Sequence, residues 1–341
     1  MSTLLAPSRM AADMAEQPAV LRRFAARRAG LHVQIGRVIP EKLAGVAFVG
    51  RGSSANAATV GKVMVELASG RPTVMVSPSL DRLYDAHTDY RGWLAVGLSL
   101  SGRTPEVAST LQDLHSRGAA TIAVTDDGES VLADGADLTI WLGTGPEQAV
   151  PTTKGFTAQL ATLIVLAETL GDCSLPVDAW AAVAEAAHSV LDDGPAAEAA
   201  ARGLLDVTHL SVVGAGAYVG IADEIALKFQ EAALVAASAH SSASYRHGPI
   251  AMAGPGHPLV AIVGPGRAGA ETARLASEVA ARGAPVLVIG DRGKLPVPNT
   301  LPEWLATIPT VVRGQQLALA LAVAKGIDPD QPPTLSKVTL T

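Results

Sequence analysis

Short apolar runs rich in Val, Ile and Leu recur along the chain without the polar–apolar alternation of half-exposed strands. That pattern marks strands covered on both faces, hence parallel sheets sandwiched between helices. In the first half the runs fall at 45–50, 72–77, 94–99, 121–125 and 138–142; in the second they fall at 209–213, 259–263, 286–290 and 305–308. Between them, 55–69, 104–116, 154–171, 220–235, 269–282 and 314–325 read as helices. Gly70, Gly118, Gly171 and Gly283 stand where helix C-caps are expected. Residues 8–38 read as a helical lead-in, broken or started at Pro18.

The pattern repeats itself at a spacing of 164 to 165 residues. Val46–Gly52 answers to Leu210–Gly216, and Leu94–Ser99 to Leu259–Gly264. Arg117-Gly118-Ala119 answers to Arg282-Gly283-Ala284, and Asp126 with Gly128 to Asp291 with Gly293. Four matches in one order at nearly constant offset predict two fused copies of one unit. Each copy reads strand, glycine turn, helix, strand. The fold class is therefore α/β, with two tandem Rossmann-like halves whose parallel sheets are flanked by helices. The expected division is a lead-in over 1–38, a first half over 39–190 and a second over 191–341, with the junction inside 175–205.

Composition narrows the function. The 341 residues are 48% hydrophobic and 17% charged, enough for large packed cores. A net charge of −6 without a basic block argues against nucleic acid as partner. It leaves room for a phosphorylated ligand held by backbone N–H groups and hydroxyls. The lone Cys173 allows no internal disulfide, and Met1–Arg9 lacks the layout of a signal peptide. The longest apolar runs, Leu160–Ala167 and Leu317–Ala324, are too short to span a bilayer. The expectation is a cytoplasmic protein.

Gly50-x-Gly52-x-x-Ala55 follows a strand and opens a helix, which formally fits a dinucleotide fingerprint. That reading needs an acid at the end of the second strand to hold a ribose. The run 72–77 ends in Ser-Pro-Ser, and the nearest acid, Asp81, lies beyond it. Hydroxyls are the stronger signal. Ser53 and Ser54 follow the first glycine pair, and the third strand ends in Ser99-Leu-Ser101-Gly-Arg-Thr104. Two such turns at the carboxyl ends of neighbouring strands can surround one phosphate. The alternative is that each hydroxyl only caps its helix.

Chemistry concentrates in the second half. Only seven lysines accompany nineteen arginines, so each lysine stands out. Glu224, Lys228 and Glu231 are four and three residues apart and share one helix face with apolar neighbours. They form either a solvated ion-pair row or a carboxylate pair facing a cleft. A desolvated Glu there could shuttle protons. Ser241–Pro249 is a polar loop carrying His247 before Gly-Pro. The tail from Asp330 through Lys337 has no secondary-structure period and by itself reads as a frayed terminus.

Ser99-x-Ser101-Gly-x-Thr104 resembles the phosphate loop of the SIS (sugar isomerase) family. The whole chain, from Met14-Ala-Glu-Gln-Pro18 to Asp330-Gln-Pro332 and Lys337, is similar to the isomerase part of the branch that makes glucosamine 6-phosphate and to its stand-alone relatives. The resemblance implies two tandem SIS subdomains. It implies that Ser54, Ser99, Ser101 and Thr104 hold a sugar phosphate with Ser53 close by. Val150 and Thr152, before Lys154-Gly-Phe156, would touch the sugar. Leu100 and Pro151 depart from the Gln and small Ala usual there. Glu224, Lys228, Glu231 and His247 match the family's Glu-x-x-x-Lys-x-x-Glu helix and its His-Gly-Pro motif. That His is implied to reach the neighbouring subunit's site, giving a homodimer with shared active sites. Lys337 is implied to form a Schiff base with an open-chain ketose.

The function so implied is a sugar-phosphate isomerase or deaminase acting on an amino-sugar phosphate. Glucosamine 6-phosphate would give fructose 6-phosphate plus ammonia by ring opening, C1–C2 proton transfer and imine chemistry. The family's synthase carries a glutaminase domain that opens with a cysteine. This sequence opens Met1-Ser-Thr, so use of glutamine is not expected. A tagatose- or galactosamine-type ketose/aldose isomerase, cleavage of a related sugar–amine adduct, and a non-catalytic sugar-phosphate sensor remain as alternatives. No cofactor or metal is called for, and Cys173 with the scattered histidines forms no ligand cluster.

Overall fold

The computed structural model describes residues 8–78, 83–84, 88–171 and 174–337. Asp81 and Cys173 lie outside the described residues. The chain opens with helices α1 (Arg9–Ala15) and α2 (Gln17–Gly36). Then follow β1 (Gly45–Val49), α3 (Ser53–Ser69), β2 (Thr73–Met75), β3 (Trp93–Leu98), α4 (Pro105–Ser116), β4 (Ala120–Thr125), α5 (Val131–Asp134) and β5 (Leu138–Trp141). Helices α6 (Lys154–Leu170), α7 (Val177–Asp192) and α8 (Gly194–Arg202) lead to β6 (His209–Gly214), α9 (Tyr218–Ala233), β7 (Ala236–Ser241) and α10 (Ser242–Arg246). The last elements are β8 (Leu259–Ile262), α11 (Gly266–Ala280), β9 (Val286–Ile289) and α12 (Glu303–Ala324).

The strands form two wholly parallel sheets, ordered β2-β1-β3-β4-β5 and β7-β6-β8-β9. The expected α/β fold with two parallel, helix-flanked sheets is what forms. In each sheet the first strand of the repeat has the second on one side and the third on the other. The strand order thus reverses between β1 and β3, and between β6 and β8, where open α/β sheets bind ligands. Strands β1, β3 and β6 are buried almost throughout, as their unalternating apolar sequences predict. Gly70 ends α3 in the left-handed conformation expected of a glycine cap.

Two elements differ from the sequence reading. Residues 305–308 belong to α12, not to a strand. A four-residue apolar run inside a fully buried helix carries no period that separates the two. Strand β7 was not foreseen. Its Ala-Ala-Ser-Ala-His-Ser sequence lacks branched apolar residues because β7 is an edge strand, paired only with β6.

By compactness the chain gathers into two units. One holds residues 8–21, Glu147–Thr157 and Pro176–Lys337 and contains β6–β9; the other holds Arg22–Pro146 and Ala158–Leu175 and contains β1–β5. In the β6–β9 unit, α12 packs on α7, α8 and α9. A Cβ at Gly314 of α12 would lie 2.2 Å from Ile225 Cγ1, so glycine there lets α12 press against α9. This clamp fixes the helix that carries Glu224, Lys228 and Glu231. No helix among the described residues is long and apolar enough to cross a membrane.

Candidate active site

In the β1–β5 unit, β1 ends in a glycine turn that opens α3, and β3 ends in the Ser99–Thr104 turn that opens α4. Thr104 stands at the N-cap position of α4 but makes no side-chain cap bond. Its Oγ1 instead lies 3.2 Å from Ser99 Oγ. Capping therefore does not account for this hydroxyl. Ser99 is buried and Ser101 half-buried, with Ser101 Oγ accepting from Arg103 N at 3.3 Å. The Leu100 carbonyl accepts from Asp126 N at 2.9 Å and from Thr125 Oγ1 at 3.2 Å, which pins the loop to the end of β4. Gly102 has φ +63°, and a Cβ there would lie 2.0 Å from Ser130 Oγ, so no other residue fits that bend.

Ser53 begins α3. Ser54, on the next residue, is buried and its Oγ accepts from Gln159 Nε2 of α6 at 2.9 Å. Gly52, not a hydroxyl residue, is the N-cap of α3. Arg51 Nε donates to Glu106 Oε2 at 2.7 Å, tying the turn after β1 to the first turn of α4. That bond holds the Arg51 guanidinium above its ordinary pKa. Two hydroxyl-bearing turns at adjacent helix N-termini favour a bound anion.

In the β6–β9 unit, Glu224 and Lys228 are fully buried on α9. Lys228 Nζ lies 3.2 Å from Glu224 Oε1 and 2.5 Å from Glu231 Oε2. Burial pulls the Lys228 pKa down, but the charges of Glu224 and Glu231 outweigh it and hold it above the ordinary lysine value. The Glu231 side chain keeps 17% of its exposure, so it alone of the three opens toward solvent. The solvated-row alternative is thereby excluded. His247 caps the C-terminus of α10 with an exposed side chain.

Three further acids organise this unit, none of them assigned a role from sequence. Asp330 Oδ2 and Oδ1 accept from the first amides of α1, Arg9 N at 2.6 Å and Met10 N at 2.9 Å. Asp13 accepts from Gln148 N and Ala149 N, both at 2.8 Å, and pairs with the buried Lys154 at 3.1 Å. Glu147 accepts at one oxygen from the turn that opens α6 and faces Lys337 Nζ with the other at 3.2 Å. Val150 and Thr152, both half-buried, lie between these anchors. Glu147 had one sequence signal: it is the only acid from Leu138 to Ala167. Among the described residues no group of three His, Cys, Asp or Glu is placed to hold a metal ion.

Two parallel sheets in tandem, hydroxyl turns at one crevice and a buried carboxylate–lysine row on a helix together define the class: a duplicated α/β protein. The chain belongs to the SIS domain family, whose model matches residues 44–169 and 203–309. It is 32% identical over 324 residues to the glutamine–fructose-6-phosphate aminotransferase (isomerizing) of Thermococcus kodakarensis, covering 89% of this chain and 54% of that protein. The chain thus spans about half the length of the curated relatives it matches. Among solved structures, a phosphosugar isomerase of Silicibacter pomeroyi, so described provisionally, superposes with a TM-score of 0.83 at 28% identity, over 95% of this chain and 100% of that one. Glucosamine-6-phosphate deaminase of Thermotoga maritima superposes with a TM-score of 0.80 at 27% identity, over 98% and 100%.

Proposed function

We propose that the protein is a sugar-phosphate isomerase of the deaminating kind, converting glucosamine 6-phosphate and water to fructose 6-phosphate and ammonia. The observation that carries this reading is the Glu224–Lys228–Glu231 row: a fully buried ammonium between two carboxylates, only one of them open to solvent. Such a row holds one carboxylate in place for proton transfer while its charge stays balanced. The names of the Thermotoga maritima and Thermococcus kodakarensis relatives support the substrate class.

Ser54, Ser99, Ser101 and Thr104, with Ser53 beside them, hold the phosphate, and Val150 and Thr152 contact the sugar. His247 opens the ring by moving a proton between the ring oxygen and the anomeric hydroxyl. Glu231 carries a proton between C1 and C2 through an enolamine, which leaves an imine at C2. The neutral Lys337 amine adds to C2 and ammonia departs, leaving a lysine imine. Water then releases fructose 6-phosphate and restores the amine. Lys228 and Glu224 keep Glu231 oriented. The working form is a cytoplasmic homodimer in which His247 serves the neighbouring chain, a state light scattering would register.

Ammonia release from glucosamine 6-phosphate by the purified protein tests the reading, with fructose 6-phosphate followed in parallel and Glu231→Gln as control. Both products are expected from the native chain and neither from the variant. Tight sugar-phosphate binding without ammonia would overturn deamination and favour another aldose–ketose pair or a sensor.

A further inference from the structure

Glu147 has no part in the mechanism above, yet it is the residue against which Lys337 rests. Its side chain is only 1% exposed. One oxygen, Oε1, accepts from Thr153 N at 2.7 Å, Thr153 Oγ1 at 3.1 Å and Gly155 N at 3.3 Å. All three donors belong to the turn that opens α6, so this oxygen is committed to holding the loop that carries Val150 and Thr152. The other oxygen, Oε2, faces Lys337 Nζ at 3.2 Å. A buried carboxylate is costly unless its bonds are made. Here one oxygen is anchored by the fold, and the other is offered to a lysine on a tail without secondary structure.

The tail explains why such a seat is needed. Its described residues after α12 form no helix or strand. Asp330 fastens the tail to α1, and the next tie on the lysine itself is Glu147, seven residues on. A free lysine side chain samples many rotamers, and holding it near one geometry costs entropy. A fixed carboxylate within hydrogen-bond reach offsets that cost and selects one position for Nζ.

We propose that Glu147 is the positioning residue for Lys337 and the acceptor of its ammonium proton in imine formation; the inference rests on the proposed imine role of Lys337. The step balances. The proton passes from Nζ to Glu147 Oε2, leaving a neutral amine and a carboxylic acid. The amine lone pair adds to the C2 carbonyl carbon of a ketose, and the carbonyl oxygen takes up the proton that the nitrogen sheds. Glu147 then returns its proton to the carbinol hydroxyl, which leaves as water, and the nitrogen lone pair closes the protonated imine. Glu147 is a carboxylate again at the end.

The test traps the imine on the full-length protein with borohydride in the presence of fructose 6-phosphate, and locates the reduced adduct by mass spectrometry. The native chain is expected to carry the adduct on Lys337. Its absence there overturns the imine reading itself, and this inference with it. If the adduct forms, Glu147→Gln keeps the shape and the loop acceptor but cannot take the proton. Trapping is expected to slow by about tenfold or more, within the range of proton-transfer catalysis. Calorimetric affinity for fructose 6-phosphate should stay within about threefold, so that kcat falls and KM does not. Trapping at the native rate in Glu147→Gln overturns the proposal. Thr153→Val, which loosens the turn and leaves the carboxylate, separates the roles. A loss as large as that of Glu147→Gln would make the effect one of loop structure and overturn the proposal as well. Should Glu147→Gln fail to fold, Glu147→Asp draws the carboxylate back by one methylene and carries the same test. Trapping slowed severalfold supports the proposal, and the native rate overturns it.

Discussion

The two halves of the repeat have the same crevice and fill it differently. In the first, the turns after β1 and β3 present Ser54, Ser99, Ser101 and Thr104. At the repeat offset, the second half has Tyr218, Gly264, Gly266 and Gly269 in their places. Every hydroxyl of the first crevice has become a glycine or a large ring. Tyr218 is fully buried, and its hydroxyl donates to the Glu303 carbonyl at 3.3 Å. A Cβ at Gly264 would sit 2.1 Å from that hydroxyl, so the ring occupies the space the first half leaves to its serine and threonine side chains. Burial, and then the charge of Glu303, push ionisation of Tyr218 well above the ordinary tyrosine range. One copy keeps a polar crevice; the other plugs its crevice and carries its charged row on α9.

The largest effect expected from breaking this division is on turnover. Glu231→Gln should lower kcat by about 10³-fold, as the loss of a general acid–base does, with KM nearly unchanged in a steady-state assay. Giving the second half the first half's residue, Tyr218→Ser, should cost about 3–4 kcal/mol in urea unfolding, the scale for emptying an aromatic site in a core. It should not create a second sugar-phosphate site, because the glycines opposite bring no hydroxyls. Ser99→Ala combined with Thr104→Val should raise KM by about 10- to 100-fold through lost bonds to a charged phosphate, with little change in folding stability. The smallest effect is on pH dependence and falls mainly in the second half. Burial lowers the pKa of His240; burial, and then His209 and His240, lower that of His257. The unfolded chain therefore binds more protons than the folded one as pH falls through about 6.5. Stability from these groups is complete above that pH and is lost below it. His32 in the first half is lowered by burial too, against the pull of Glu168. The double variant His240→Asn, His257→Gln should therefore shallow the acid slope in thermal unfolding rather than remove it.

What was legible in the sequence followed from local pattern. Central strands such as Val46–Val49 declared themselves by continuous apolar residues, and the repeat by its constant offset. The Glu224–Lys228–Glu231 row was visible from its spacing, because three side chains on one helix need no tertiary knowledge to share a face. Strand β7 was hidden because an edge strand of Ala, Ser and His has no need of branched apolar residues. Residues 305–308 misled because a short apolar run looks the same in a buried strand and a buried helix. Glu147, Asp13 and Asp330 were missed because their partners lie far along the chain: Glu147 meets Lys337 across 190 residues, and Asp330 meets Arg9 across 321. The substitution of Tyr218 for Ser54 at the repeat offset could have been read from sequence, but its meaning required seeing the ring fill the crevice.

The central claim is that the first half binds and the second reacts. Calorimetric titration of Glu231→Gln with glucosamine 6-phosphate tests it most directly. The account predicts one sugar phosphate bound per chain, at close to native affinity and without release of ammonia. Loss of binding in this variant, or two molecules bound per chain, would contradict it.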